Sequence, residues 1–405
     1  MLKNKHSSSK KLSKNDSNKK LDYHKLIGES GTEYYLKHVI GRGTFGVVYE
    51  AYTTDSITEE ETVDTENNIE ELNDEEKANF FNKNLIIRSG NNINLLENKD
   101  KFAIKRYFKS FNPKSSQVEL SILSYLRKKV NDNRLLKIID GKYVEKTGDF
   151  YFISPFFKHQ KFVEYFKLMS FDKIRIYMYQ LLTCIKKIHS AGLIHRDIKP
   201  ENFLFNVETN DCYLIDFGLA EIDIDSNYFH KINEDNQEDE DYQILSRIQQ
   251  KHYRHKLGTR GYASPEVIFI SPYQDGGVDV WGAGIILLIL LSQRNNIFNM
   301  NQFSKIESES IKDIIPLIEL FGVDKVLDIA KKCQCNIYIG NIFKDYKVHG
   351  GIEKLIKKEP KNGREQRLLN LAKDLLYKLL ELNFKKRITA EKALEHEFFR
   401  GIKIA

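Results

Sequence analysis

The sequence predicts a bilobal α+β fold, in which a small and mostly antiparallel β N-lobe with one helix precedes a larger helical C-lobe. Residues 34–52 contain two short strand patterns separated by a glycine-rich turn. A further strand pattern near residue 103 is followed by one helix, and a long amphipathic stripe at 171–190 opens the C-terminal half. The 405 residues, of which 41% are apolar, are enough for one large two-lobed domain with a real core.

The order of these patterns predicts the domain organisation. We expect a flexible basic tail over residues 1–30, an N-lobe over 31–157 and a C-lobe over 158–402. The lysine clusters of the tail fit a nuclear-localisation patch about as well as a solubilising tail. Three polar or mixed segments are interpreted as insertions into the lobes, at about 53–100, 222–256 and 294–364. For the last of these, a partner-docking region and an elaborated lobe surface both remain open.

Composition argues against several classes of protein. The net charge of +6 is only mildly basic, and the sequence shows no nucleic-acid-binding motif. The four cysteines form no disulfide framework and indicate a reducing compartment. No signal peptide opens the chain, and the apolar run at 285–291 is too short to span a membrane. We therefore expect a soluble intracellular protein.

A glycine-rich turn is the first candidate nucleotide-binding element. The pattern G-x-G-x-x-G-x-V places Gly41, Gly43 and Gly46 in a hairpin, with Val48 on the returning strand. Glycines permit a tight turn and let the backbone approach phosphate groups closely. A dinucleotide-binding fold would continue into a helix. Because a strand pattern follows instead, we predict a hairpin that covers the phosphates of ATP.

Two further strands are predicted to complete the ATP site. One carries Ala103 and Lys105, in the pattern of a strand whose lysine binds the α- and β-phosphates. The other leads into Pro155, Phe156 and Phe157. We expect backbone groups of these three residues to meet the edge of the adenine ring, at a hinge between the lobes.

The helix of the N-lobe is predicted over residues 116–129, with Ser115 or Ser116 as its cap. It contains Glu119, which is our candidate for the ion-pair partner of Lys105. The plainer alternative is a glutamate that faces solvent.

The motif that carries the chemistry is His-Arg-Asp-Ile-Lys-Pro-Glu-Asn at 195–202, followed by Asp-Phe-Gly at 216–218. Asp197 can accept the proton of an attacking hydroxyl group, and Lys199 can lie against the transferring phosphoryl group. Because lysine, asparagine and the second motif all fall at the expected offsets, a chance match is strongly disfavoured.

Two residues of these motifs are candidate metal ligands. Asn202 and Asp216 offer hard oxygen atoms of the kind that Mg²⁺ prefers, and the cation would bridge the phosphates of ATP. His195 and Gly218 are expected to have structural roles.

Downstream residues are predicted to support this loop. Thr259 stands where a hydroxyl group would orient Asp197. Asp279 is expected to accept backbone N–H groups of the catalytic loop, and Glu266 is expected to form a structural ion pair with Arg387.

Two arginines are candidate anion-binding residues. Arg196 could bind a phosphorylated residue of the loop that follows Gly218, and Arg260 could bind an acidic side chain of a substrate. For both, a surface or packing arginine is an equally good interpretation.

With these motifs, the chain resembles eukaryotic protein kinases, and within them the cell-division-cycle-seven kinases. The segments that carry the resemblance are 194–200, 202–206, 214–220, 258–262 and 387–391. The resemblance implies the protein-kinase fold, a nuclear serine/threonine kinase that uses ATP and Mg²⁺, and MCM helicase subunits as substrates. It also implies a preference for acidic or pre-phosphorylated sites and an S-phase activator subunit that docks on the N-lobe helix and an insertion.

Two departures and two alternatives accompany this resemblance. Ser264 replaces the alanine of the usual A-P-E motif, and Ala263 stands where many relatives have a basic residue, which weakens any prediction of substrate charge. The alternative enzyme is an acidophilic serine/threonine kinase of another family. The alternative of a different class is a pseudokinase scaffold, which would bind partners without catalysis.

Overall fold

The structure is a computed structural model that describes residues 24–43, 46–53, 101–108, 113–223, 258–295, 297, 308–335, 337 and 351–402. Two predicted insertions, at about 53–100 and 222–256, lie almost entirely outside the described residues, as does most of the predicted tail. Within the described parts of the chain, no helix is both long and apolar enough to cross a membrane.

The N-lobe is built on a twisted antiparallel sheet. Its six described strands are β1 His24–Ile27, β2 Glu33–Gly43, β3 Gly46–Thr53, β4 Lys101–Tyr107, β5 Asp140–Val144 and β6 Asp149–Pro155. Their order across the sheet is β1-β2-β3-β4-β6-β5, with every neighbouring pair antiparallel. This confirms the predicted antiparallel β lobe, and β4 lies at the centre with a neighbour on each side.

The predicted tail ends earlier than residue 30. Residues 24–27 form β1, which pairs with β2 from His24 opposite Leu36 to Ile27 opposite Glu33. The turn that follows is bound to the far edge of the sheet, because buried Asp140 accepts hydrogen bonds from the Ser30 backbone and side chain. The polar composition of the segment concealed these contacts, which depend on a residue 110 positions away.

The N-lobe helix, α1, spans Pro113–Lys129. It therefore begins before the predicted start, and Ser116 lies inside the helix and does not cap it. Proline is well suited to the first turn, where its missing N–H would have no helical partner in any case. On its inner face, Leu120 packs with Tyr107, Phe150 and Phe152 of the sheet.

The C-lobe is helical, as predicted. Its helices are α2 Phe162–Tyr165, α3 Phe171–Ser190, α4 Pro265–Ile268, α5 Gly277–Ser292, α6 Glu309–Phe321, α7 Val323–Lys332, α8 Gly351–Leu355, α9 Gly363–Leu379 and α10 Ala390–Leu394. Four short strands form two antiparallel pairs, β7 with β10 and β8 with β9: β7 Leu193–Ile194, β8 Phe203–Phe205, β9 Cys212–Leu214 and β10 Glu221–Ile222.

One hydrophobic core holds this lobe together, and it orders the catalytic motifs. Helix α3 begins at the side-chain cap of Ser170 and ends where Gly192 takes a left-handed φ of 71°. Its apolar stripe packs with the mostly apolar and buried helix α5. Because β7 follows α3 directly, the end of this rigid helix fixes the start of the catalytic loop.

Helices of the segment 294–364 belong to the same core. Ile315 and Ile318 of α6 and Val326 and Ile329 of α7 are buried in it. The Trp281 ring of α5 lies 5.8 Å from the Phe321 ring of α6. These helices are therefore part of the packed lobe, which the mixed composition of the segment did not indicate.

Candidate active site

Strand β4 and helix α1 bring a lysine to two carboxylates. The Lys105 Nζ lies 3.3 Å from Glu119 Oε1 and 2.7 Å from Asp216 Oδ1. Burial alone lowers the pKa of Lys105, but the two carboxylates outweigh it and the pKa is raised. Burial raises the pKa of Asp216, yet Lys105 more than offsets this and lowers it. Lys105 is therefore a cation and Asp216 an anion at neutral pH.

Glu119 is held by a second partner that sequence reasoning missed. The Tyr107 hydroxyl group donates to Glu119 Oε2, and the Lys105 ammonium lies 4.6 Å from the centre of the Tyr107 ring. Glu119 is 1% exposed, and burial raises its pKa against the opposing effect of Lys105. An available signal was strand alternation, which places Tyr107 on the same face as Lys105.

The catalytic-loop side chains form a closed polar network. Asp197 Oδ2 accepts from Lys199 Nζ at 2.6 Å, and its Oδ1 accepts from the Thr259 hydroxyl group at 2.7 Å. Lys199 also donates to Thr259 at 2.8 Å. The Asn202 amide nitrogen donates to Asp197 Oδ2 at 2.9 Å. The structure thus brings together four residues that the sequence separates by up to 62 positions.

Helix α5 fixes the backbone of this loop through Asp279. Its carboxylate accepts from the backbone N–H of His195 at 2.8 Å and of Arg196 at 2.7 Å, and it contacts His189 Nε2 at 2.9 Å. Burial raises the pKa of Asp279, but His189 and these donors outweigh it and lower the pKa. The ionised carboxylate holds Arg196 at a left-handed φ of 68°, a conformation that costs energy for a residue with a Cβ.

The metal-loop motif lies against the catalytic loop. The His195 ring is 4.9 Å from the Phe217 ring and its Nε2 is 3.0 Å from the carbonyl oxygen of Ile215. Asp216 itself has a φ of 66°. Gly218 follows in the turn that leads to β10. His195 thus buries Phe217 while the strained Asp216 backbone turns its carboxylate towards Lys105.

The glycine-rich hairpin joins β2 to β3. Gly41 is paired with Val48 and Gly43 with Gly46, whereas residues 44–45 lie outside the described chain. A Cβ on Gly46 would lie 1.9 Å from the carbonyl oxygen of Arg106 on β4. Gly46 is therefore required by the close approach of two strands.

Residues 155–157, at the end of β6 and just after it, have fewer backbone N–H groups available to a ligand than the sequence suggested. Ala103 is paired with Ser154, and the Ser154 hydroxyl group donates to the Ala103 carbonyl at 3.1 Å. Pro155 has no N–H, and the N–H of Phe156 donates to the carbonyl of Lys101 at 3.1 Å. The Phe157 ring is stacked on the Tyr213 ring.

Both arginines that were considered as anion-binding residues already contact side chains of this chain. Arg196 is buried and its guanidinium group already contacts the carboxylate of Glu221 and Gln274 Oε1, so a phosphorylated residue would have to displace them. The Arg260 Nε donates to Asp313 on α6 at 2.6 Å. Glu221 and Gln274 had no motif in the sequence that could have identified them.

A buried ion pair supports the lobe beneath the site. The Arg387 guanidinium group forms two bonds with the Glu266 carboxylate, of 2.5 and 3.0 Å, and both side chains are 0% exposed. Arg387 also donates to the carbonyls of Gly277 and Glu381 and lies 5.0 Å from the Trp281 ring. This pair anchors the start of α4 to the C-terminal part of the chain.

Comparison with known proteins agrees with this arrangement. The family described as "Protein kinase domain" matches residues 89–399. The chain is 29% identical to the cell cycle serine/threonine-protein kinase hsk1 of Schizosaccharomyces pombe, over 90% of this chain and 72% of the relative. It is 30% identical to the cell cycle protein kinase spo4 of the same yeast, over 74% and 73%.

A third relative comes from another organism. The probable cell division control protein 7 homolog 1 of Encephalitozoon cuniculi is 30% identical over 62% of this chain and 72% of its own length. The family match covers the C-lobe and the N-lobe from β4 onward, and the named relatives are cell-cycle kinases. The chain therefore belongs to the protein kinase family as a serine/threonine kinase, and it is similar to the cell-division-cycle-seven kinases within that family.

Proposed function

We infer that this chain transfers the γ-phosphoryl group of ATP to a serine or threonine hydroxyl group, with Asp197 as the base. The observation that carries the proposal is the Asp197 carboxylate, which is held at both oxygens by Lys199, Thr259 and Asn202. A carboxylate oriented in this way can align an attacking hydroxyl group and accept its proton. The protein's contribution is then mostly positioning and charge stabilisation.

Each neighbouring side chain has a role in this proposal. Lys199, bound to Asp197 and Thr259, supplies positive charge beside the transferring group. Lys105, which Glu119 and Asp216 keep protonated, binds the α- and β-phosphates. The Gly41–Val48 hairpin covers the phosphates. Because Pro155 and Phe156 offer no available N–H, Phe157 is the residue of the three that is left to donate to the adenine edge.

The donor set fits Mg²⁺. Asp216 is anionic, and Asn202 uses its amide nitrogen to bind Asp197, which leaves its oxygen as the atom suited to a hard cation. When bound, Mg²⁺ would neutralise the phosphate charge that develops during transfer.

The finer function follows the relatives. We propose that the chain acts in the cell cycle as a nuclear kinase of MCM helicase subunits, activated by a separate regulatory subunit. The cell-cycle names of the relatives support this proposal, as does the resemblance of the motifs. The alternative is an acidophilic serine/threonine kinase of another family, which would have other targets.

A transfer assay tests the activity. We expect the chain, isolated together with the proteins that bind it, to transfer labelled phosphate from ATP into an N-terminal MCM tail. Asp197→Asn and Lys105→Ala should abolish transfer, because one removes the base and the other the phosphate-binding cation. Activity like that of the wild type in either variant would contradict the assignment of these roles.

A second comparison separates the alternatives. Transfer to the MCM tail only by the partnered sample would support a catalytic subunit that needs an activator. Strong transfer to acidic peptides by the lone chain, with none to the MCM tail, would identify the other acidophilic kinase. Mg²⁺-dependent ATP binding without turnover in either sample would identify a pseudokinase scaffold.

A further inference from the structure

We propose that Glu221 is a positioning residue that occupies the anion site of Arg196, so that the active geometry forms without phosphorylation of the loop after Gly218. This inference rests on the proposed kinase activity. It concerns how the catalytic loop and the metal loop are held together, and it develops the packing arginine, one of the two interpretations of Arg196 that the sequence left open.

Arg196 is buried, and its guanidinium group is bound by other residues of the chain. Its side chain is 1% exposed, which leaves no room for a loosely held surface anion. One guanidinium nitrogen contacts the Glu221 carboxylate, and another donates to Gln274 Oε1 at 2.5 Å. A buried arginine needs a compensating anion, because an unpaired charge in the interior is costly. Glu221 supplies that anion from within the chain.

Glu221 lies next to the start of the catalytic loop. It lies on β10, directly opposite Ile194 of β7, and the N–H of Asp223 donates to the carbonyl of Gly192 at 2.7 Å. Because the carboxylate is attached to a strand that is paired with the start of the catalytic loop, little freedom is lost when the ion pair forms. The pair therefore joins the segment beyond Asp216 to the loop that carries Asp197.

A phosphorylated residue that approached Arg196 would be repelled. A phosphorylated residue carries close to two negative charges near neutral pH. At Arg196 it would face the Glu221 carboxylate, and like charges at this distance repel. Gln274 is also fixed, since its amide nitrogen donates to the carbonyl of Ser271 at 3.1 Å. The described contacts thus engage two guanidinium nitrogens of Arg196, one of them with an anion, and disfavour a second anion beside it.

The test compares phosphorylation with the loss of Glu221. The full chain with its bound partners is assayed before and after treatment with a broad-specificity protein phosphatase. The phosphatase is removed before the kinase assay begins. Mass spectrometry of the chain before and after the assay reports its phosphate content. Glu221→Ala and Glu221→Gln are compared with Glu208→Ala, which changes an exposed acid in the turn between β8 and β9.

We expect dephosphorylated wild-type protein to keep its kcat within about twofold, and Glu221→Ala to lose kcat by about tenfold or more through misalignment of the loop. The KM for ATP should change little, because Lys105 and the hairpin are untouched. Glu221→Gln, which keeps an acceptor but not the charge, should fall between the two. Glu208→Ala should match the wild type.

A second measurement does not depend on activity. We expect Glu221→Ala to lower the Tm in the wild-type background and to lower it less in the Arg196→Met background, because the two residues act as a pair. Loss of most activity on dephosphorylation, wild-type kcat in Glu221→Ala, or equal Tm effects in both backgrounds would each overturn the proposal. A wild-type chain that transfers no phosphate in any sample would instead refute the proposed function, and the Tm comparison would still decide the pairing.

Discussion

Replacing Tyr107 with phenylalanine isolates one hydrogen bond of the candidate site. The ring stays in the cluster with Leu120, Phe150 and Phe152, and only the hydroxyl group that donates to Glu119 is removed. Burial already raises the pKa of Glu119, and the Tyr107 hydroxyl group opposes that effect. Without it the pKa of Glu119 rises further, so at a given pH a larger fraction of Glu119 is protonated and does not form an ion pair with Lys105.

The magnitude follows from the burial of both partners, which are 4% and 1% exposed. A hydrogen bond to a charged group contributes about 1.5–3 kcal/mol. That corresponds to a change of about ten- to a hundredfold in the equilibrium that favours the Lys105–Glu119 pair. We expect the KM for ATP to rise within this range, and the acid limb of the kcat/KM profile to move to higher pH.

The assay is steady-state transfer from ATP across a pH series, with Tyr165→Phe as the matched control. Tyr165 is a buried tyrosine of the C-lobe that packs against Phe162 and Phe205. Its loss of a hydroxyl group should leave both the KM for ATP and the pH profile unchanged. If Tyr107→Phe behaved like Tyr165→Phe, the hydroxyl group would have no part in holding Glu119, and the reasoning would fail.

Three further predictions concern stability. Arg387→Met should cost about 3–5 kcal/mol, because it leaves Glu266 charged and buried, and adding Glu266→Gln should recover part of the loss in urea unfolding. Asp279→Asn should destabilise the protein at neutral pH, and the difference from the wild type should shrink once the pH falls below the ordinary value of 3.8, because a lowered folded pKa contributes stability that is lost only there; a difference that does not shrink in that acid range would contradict this. Gly282→Ala should lower the Tm, since its Cβ would lie 2.7 Å from the carbonyl oxygen of Ile198 in the catalytic loop; an unchanged Tm would show that the two elements can separate at no cost.

Local patterns predicted the elements well where one physical rule decides them. The stripe over 171–190 coincides with α3 because burial of one helical face dictates its period, and the Ser170 cap and Gly192 set its ends. The start of α1 was predicted too late, since the helix already begins at Pro113, ahead of the serines that were expected to cap it. Strand β1 was missed because its partner in the sheet, and not its own composition, orders it.

Contacts between distant residues were predictable only where a motif names both partners. The approach of Lys105 to Glu119 and of Glu266 to Arg387 was expected, because each residue stands in a recognisable pattern. Tyr107, Glu221 and Gln274 stand in none. Their contacts with Glu119 and Arg196 arise from strand register and from the packing of α4 and α5 against the catalytic loop.

The sequence by itself determined the two-lobed α+β architecture, the order of its elements and the residue types of the phosphoryl-transfer chemistry. These follow from hydrophobic periodicity and from motifs whose members lie close together in the chain. Only the tertiary structure decided what neutralises Arg196, what holds Glu119 and which hinge N–H groups are already used. The physical reason is that a buried charge or donor is satisfied by whichever group the fold places beside it, and that neighbour can lie anywhere in the chain.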